Sequence, residues 1–368
     1  MKRVLVTIAA CLLLLPAFAQ KKKKTDNVSF AYDAFFQYCF DNREFAPSEN
    51  LFMNSETLNL ARLAPAIGLE VRSGSKVKHS LVAGADILRE MGNGNEYSRE
   101  FNFWYSIEAR GGGRRFTGRA GMFPRRYSSF CSQVPTVFLS DKFKIYDSNI
   151  EGILLQMRGR KGGMAELGLD WMGMLGSNRR ERFQIFSYGC YPLPAGIGLG
   201  WSASLYHFAN SLEYRGVVDN VLLSPFVSWT GRSGSWEYQP KLSLLLGLHQ
   251  DRIKQTGLES TYGALLSQRL TWKSLSLLSD SYYGTGQMPY YDDIDAGGNV
   301  YGSDLYFGCP FYKASGFYER LEFYWKPLTA GPADIRVGAV AHFNGNGFCG
   351  WQQKLGVIFD LERTINKR

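Results

Sequence analysis

Trp351-Gln352-Gln353-Lys354-Leu355-Gly356-Val357-Ile358-Phe359-Asp360-Leu361-Glu362 decides the fold. Trp351, Leu355, Val357, Phe359 and Leu361 share one parity, and Gln352, Lys354, Asp360 and Glu362 share the other. An extended backbone sends alternate side chains to opposite faces, so this segment reads as a strand with one apolar and one charged side. The alternation recurs throughout. Val28, Phe30, Tyr32, Ala34, Phe36, Tyr38 and Phe40 form an apolar row opposite Ser29, Asp33 and Gln37. Leu63, Ile67, Leu69 and Val71 oppose Arg62, Glu70 and Arg72 in the same way. Long strands of this kind suit an all-β, closed antiparallel transmembrane barrel, with lipid outside and water inside.

Working outward, strands are expected at 28–40, 57–72, 77–89, 99–110, 114–124, 149–158, 164–175, 182–191, 197–208, 217–229, 236–249, 261–272, 275–283, 311–325, 333–343 and 351–364. That makes sixteen strands, with fourteen as the alternative because 149–158 and 275–283 carry the weakest patterns. An even count puts both termini on one side. Connections after even strands are short turns, whereas Asp41 to Glu56, Arg125 to Ser148 and Gly284 to Pro310 are long. Short turns are expected to face the periplasm and long loops the exterior. Phe40, Trp229, Trp236, Trp272, Trp325 and Trp351 are placed at strand ends, where interfacial aromatic girdles sit. Glu319 interrupts its apolar row, which points to a bulge or a register error there.

Lys2-Arg3, the apolar run Val4 to Pro16 and Ala17-Phe18-Ala19 have the layout of a cleaved signal peptide, residues 1–19. Ile8-Ala9-Ala10-Cys11 is a weaker, lipoprotein-type cleavage box. Residues 20–27 then form a basic periplasmic tail containing Lys21 to Lys24, and 28–364 is the barrel. The formal net charge of +9 is spread over scattered residues of an exported chain, which argues against nucleic acid as a partner. A secreted soluble β-sandwich is the competing fold, but these strands are long enough for the ~9–11 tilted residues that cross a bilayer.

Asp41-Asn42-Arg43-Glu44-Phe45, following the first aromatic strand, and Leu63-Ala64-Pro65-Ala66-Ile67-Gly68 resemble segments of a group of uncharacterised outer-membrane proteins of Bacteroidetes. In that group a similar acidic and basic turn follows the first strand. The resemblance covers about 40 residues, implies a barrel of unassigned function, and transfers no site residue.

Inward parity is shared by Arg62, Arg72, Lys78, Arg110, Arg119, Arg182, Lys241, Arg269, Arg336 and Lys354, with Glu70, Asp86, Glu108, Glu166, Asp170, Glu237, Asp360 and Glu362 among them. Such a wall is either a stiffening set of ion pairs or a charged eyelet that orients a solute. Asp292, Asp293 and Asp295, on a glycine-bearing loop, are the weak candidate for Ca²⁺, a cation that takes oxygen ligands; Asp304 would join if the loop folds back. No other cofactor is expected. Cys39 with Cys349, and Cys131 with Cys309, are the candidate disulfides in an odd set of five cysteines beyond the leader. The histidines His79, His207, His249 and His342 stand in no hydrolase motif, so enzyme activity is not expected.

The reading is therefore an outer-membrane barrel, in contact with outer-membrane lipid, that passes small polar or anionic solutes passively. Arg125 to Ser148 and Gly284 to Pro310 would fold inward as constriction or lid. The alternative is a non-conducting scaffold whose loops bind a surface lipoprotein or other envelope partner. Tyr290, Tyr291, Tyr301 and Tyr306 suit either such recognition or an inward plug.

Overall fold

A computed structural model describes residues 27–361, apart from 46–52, 94–96, 253, 255–256, 295–297 and 299. The leader, the lysine run, Asp295 and Glu362 lie outside the described residues. The strands are β1 (Asn27–Phe45), β2 (Glu56–Ser73), β3 (Val77–Glu90), β4 (Tyr97–Gly111), β5 (Arg114–Pro124), β6 (Asn149–Arg158), β7 (Met164–Gly173) and β8 (Arg182–Pro192). They continue as β9 (Ile197–Phe208), β10 (Val218–Trp229, resuming over Gly231–Ser233), β11 (Trp236–Asp251), β12 (Glu259–Trp272), β13 (Leu275–Gly284), β14 (Gly316–Ala330), β15 (Ala333–Asn344) and β16 (Gly347–Asp360). Every neighbouring pair is antiparallel, and β1 pairs with both β2 and β16, from Phe35 opposite Asp360 to Phe45 opposite Gly350. The described residues thus close a sixteen-stranded barrel with no free edge.

The faces follow the alternation. Ile67 is 72% exposed and Arg62, five residues away on the same strand, only 4%. Leu242, Leu244, Leu246 and Leu248 are likewise exposed along β11, while Ser243, Leu245 and His249 are buried. A surface that is apolar outside and polar inside is stable only with hydrocarbon around it. Trp236 and Trp272 stack at 5.6 Å between ring centres, and Trp272 pairs across to Leu275, itself opposite Trp325, so a girdle lines the short-turn end of β11–β14. Arginine in place of Leu244 should cost about 2–4 kcal/mol, the usual charge for a cation at the bilayer midplane. Equilibrium unfolding in lipid vesicles checks this, and a change under about 1 kcal/mol would show that this row does not face lipid.

Turn chemistry holds the short end. Gly112 and Gly113 have φ of 57° and 73°, the doubly positive geometry of a two-residue hairpin turn that costs a residue with a Cβ far more.

Several expected boundaries move, each for a reason. β1 runs on to Phe45, so Asp41 to Phe45 is strand and not turn, and Phe40 is interior to its strand. This works because Arg43 meets Asp41 at 2.8 Å and Glu56 at 3.0 Å, which satisfies the inward charges. Phe311 belongs to a 3₁₀ turn, Pro310–Lys313, and β14 begins only at Gly316, since Phe311 and Tyr312 are buried among other rings. No bulge forms at Glu319, which stays in register opposite Ser281 and Phe343 and accepts a 2.7 Å hydrogen bond from Ser279; the shift comes later, between Trp325 and Leu328.

Candidate functional site: a lumen filled by two inward segments

Residues 125–148, between β5 and β6, turn into the barrel. A 3₁₀ turn, Arg125–Tyr127, leads to the short helices α1 (Ser129–Gln133) and α2 (Asp141–Tyr146). Ser128 and Ser140 start them, accepting from Cys131 and Phe143 backbone N–H groups. Phe130, Val134, Val137, Phe138 and Leu139 are all buried, although they belong to a loop, because they sit inside the barrel.

The wall supplies the partners this backbone needs. Glu166 accepts from Ser128 Oγ at 2.5 Å, from the N–H groups of Ser129 and Phe130 at 2.8 and 2.9 Å, and from Gln156 Nε2 at 2.6 Å. The expected lumen charge Glu166 is therefore a cap for α1. Arg125, 3% exposed, lies between Asp170 at 2.7 Å and Asp147 at 2.6 Å and also donates to the carbonyls of Asp147 and Asn149. Burial alone would lower its pKa; Asp170 and Asp147 more than reverse that, so the guanidinium stays charged. Arg62 pairs with Asp86 at 2.9 Å and donates to the Ile145 carbonyl at 2.5 Å. Asp33 takes Arg126 and, at 2.7 Å, the Tyr127 hydroxyl. On the far wall Lys354 reaches Asp141 at 2.7 Å and Arg320 reaches it at 3.4 Å, while Lys241 donates to the Gln133 carbonyl at 3.4 Å. The segment is thus held from β1 to β3, from β7, and from β11, β14 and β16.

The described residues of 285–315, between β13 and β14, form the second inward segment, with the short helix α3 (Gly302–Leu305). Tyr206 on β9 donates to the Asp304 carbonyl at 2.8 Å, and Asn220 on β10 donates to that of Leu305 at 3.2 Å. His249, hydrogen-bonded to Asn220 and Thr261, sits against the rings of Tyr290 and Tyr306. The two segments join by Ser140 N–H to Phe307 O and Cys309 N–H to Thr136 O, each 2.7 Å, and by Phe143 stacked on Phe307 at 4.4 Å. Gly308 lies where a Cβ would stand 2.1 Å from the Val137 carbonyl, so only glycine permits this approach. Tyr290, Tyr301 and Tyr306 are buried in this plug.

The remaining predicted lumen charges line the short-turn half. Glu70 meets Arg72 and Lys78, both at 3.2 Å; Glu108 meets Arg110 at 2.7 Å and Arg115 at 3.8 Å. Arg119 donates to Gln156 at 3.0 Å and lies over the Tyr127 ring. Arg336 lies over the Tyr324 ring, and Arg269 pairs across from Leu278 and Gln239 on neighbouring strands. Arg182 stands apart, near the long-loop end, 3.7 Å from Asp304. The wall therefore divides: Arg62, Arg119, Glu166, Asp170, Lys241 and Lys354 touch the plug, whereas Arg72, Arg110 and Glu108 stand on the wall nearer the short turns. The residues missed from sequence are Asp33, Arg43, Arg125, Asp141, Arg320 and His342. Ser140-Asp141 was a usable helix-start signal, and Arg320 and Glu322 share inward parity once Glu319 is accepted on the outer face.

The disulfide expectations fail. All five described cysteines are free thiols. Cys39 pairs across from Gly356, while Cys349 adjoins Gly350, the partner of Phe45, so six residues of strand separate them, about 20 Å. Cys131 lies in the α1 turn, and Cys309 has Met53 at 3.8 Å as its sulfur neighbour; burial raises the pKa of both thiols. The acidic loop also looks different from a cation cage. Lys313 holds both oxygens of Asp292, at 2.7 and 2.9 Å, and Lys254 holds Asp293 at 2.8 Å. No group of three His, Cys, Asp or Glu side chains with metal-holding geometry occurs among the described residues.

Lys354 above all, with Arg320 and Lys144, holds the Asp141 carboxyl well below the usual carboxylate range despite its burial. A depressed folded pKa gives a contact that is complete above the ordinary value near ~3.9 and is lost only as pH falls through the lower one. The tie between Lys354 and Asp141 should accordingly persist from pH 8 to about 4. Accelerated labelling of the buried Cys131 between pH 7 and 5 would show that another group governs the plug.

No protein-family model and no curated protein matches the chain. Solved structures do. A loop-deletion variant of OmpT, an outer membrane protein of Vibrio cholerae, aligns over 91% of this chain and 100% of that chain, at 8% identity and a TM-score of 0.51. OmpF of Salmonella typhi, in complex with daunomycin, aligns over 90% and 97%, at 7% identity and 0.50. The fold is that of the porins. OccK5 (OpdH) of Pseudomonas aeruginosa aligns over 90% and 98%, at 12% identity and 0.49. The porin-fold barrel here thus combines that wall with an interior filled by its own two segments.

Proposed function

We propose that the chain is an outer-membrane channel that passes small polar solutes, anions preferentially, through a lumen restricted by the two inward segments. The observation that carries this reading is the short-turn half of the lumen. On β2 to β6 six bases, Arg72, Lys78, Arg110, Arg115, Arg119 and Arg158, face two acids, Glu70 and Glu108, among the described residues. A concave wall with an excess of bases raises the local concentration of anions on the way to the constriction. Arg158 reaches the plug itself, 3.4 Å from Ser129 Oγ. The purified barrel in planar bilayers should give small, reproducible steps and a zero-current potential of chloride over potassium. A folded barrel that stays silent would sink the channel reading.

The continuous aromatic core between plug and wall favours a second reading, a non-conducting barrel that holds a surface lipoprotein or other envelope partner. Extraction in mild detergent separates the two, because a scaffold retains a stoichiometric partner and a simple channel does not.

A further inference from the structure

A cavity of about 440 Å³ lies between both inward segments and the wall of β1 and β14–β16, with Asn54, Arg43, His342 and Gln352 among its lining residues. That volume lies within the ~300–1,000 Å³ typical of small-molecule sites. We infer that it binds a neutral sugar of mono- or disaccharide size. The inference goes beyond conduction, since a barrel that never opens would still hold the ligand.

Paired charge disfavours ligands that carry a net charge. Arg43 pairs with Asp41 and Glu56, Lys142 with Glu56, Arg320 with Glu322 and Asp141, and Lys354 with Asp141. These pairs set four cations on four carboxylates, in the lining or bonded to residues that line it, and Lys144 of α2 adds its attraction to Asp141. A charged ligand entering this set leaves one charge uncompensated. The basic wall beneath the plug is the contrast.

Hydroxyls suit such a set. A guanidinium has five donors and a carboxylate about four acceptor positions, so groups already paired with each other retain capacity for a ligand. A hydroxyl both donates and accepts, and it meets either without altering the balance. One further buried atom fits this chemistry. His342 is 2% exposed, turns Nδ1 to the Tyr318 hydroxyl at 2.8 Å, and has the Gln352 side chain, also of the lining, beside its ring, so its Nε2 makes no well-aligned hydrogen bond. Much of the apolar lining is aromatic: Phe143, Tyr146, Tyr291 and Phe307 line the cavity and are only partly buried, beside Met53 and Pro310. Flat rings beside dense hydrogen-bonding groups match the two kinds of surface on a pyranose, apolar C–H faces and a polar rim.

The test is calorimetric titration of the intact barrel in a detergent without a sugar headgroup. The probes are maltose, cellobiose and diacetylchitobiose, with glucuronate and glucosamine as charged comparators. At least one neutral disaccharide should bind saturably and about tenfold tighter than either charged sugar, a difference of one uncompensated charge. Tyr291→Ala, in a loop and remote from barrel closure, should weaken it about tenfold. Glu56→Gln removes one carboxylate, so glucuronate should gain on the neutral sugar. The proposal is overturned if no neutral sugar binds, if a charged sugar binds the unaltered barrel as tightly, or if Tyr291→Ala changes nothing while the barrel stays folded.

Discussion

Excising residues 129–146 and closing the gap with a short glycine-serine turn should raise single-channel conductance roughly threefold or more, since sixteen-stranded barrels otherwise leave an aqueous channel. The removed stretch carries α1, α2 and the buried Phe130, Val134, Val137, Phe138 and Leu139, and it reaches from Glu166 on β7 to Lys354 on β16. None of the excised residues takes part in the wall pairing, where every strand keeps both neighbours. Closure should therefore survive, and heat-resistant migration in gels confirms it. Anion preference should persist, because Arg72, Arg110 and Arg119 remain. A folded variant with unchanged conductance would mean that the second segment, 285–315, alone sets the constriction.

The second large effect concerns the anchors. Glu166→Ala removes an acceptor that meets four donors, two of them backbone N–H groups at the start of α1. Hydrogen bonds to a charged group contribute about 1.5–3 kcal/mol each, so losing two or more costs at least about 3 kcal/mol. That raises the population of the undocked helix on the order of a hundredfold. Arg125→Ala should act similarly, at about 3–5 kcal/mol, by leaving Asp170 buried without its cation. Cys131, one turn into α1 and buried, is the reporter. Its maleimide labelling should be slow in the unaltered barrel and accelerate in both variants, with Glu166→Gln in between. Equal labelling rates in all forms would show that α1 is held by its apolar contacts and not by these charges.

The same residues show what could be read in advance. Glu166 and Lys354 have inward parity in any register that buries charge, and both do face inward. That Glu166 caps a helix, and that Lys354 meets a carboxylate, depends on which loop folds back to them. The cysteines make the same point. Cys39 and Cys349 both lie near the seam between first and last strands, but only the register, Phe45 opposite Gly350, shows them too far apart to bond.

Alternation by itself determined the barrel: a period of two is local, each strand declares its own faces, and sixteen such strands with apolar outer faces have one way to hide both edges. Tertiary structure alone decided what fills it. The ties that place the plug join Asp33 to Arg126, 93 residues on, Arg320 to Asp141 over 179, and Lys354 to Asp141 over 213. No local pattern encodes partners so far apart, because a charged residue on an inward face is satisfied equally by water, a neighbouring strand or a returning loop. Only the assembled lumen, with both segments folded into it, selects among them.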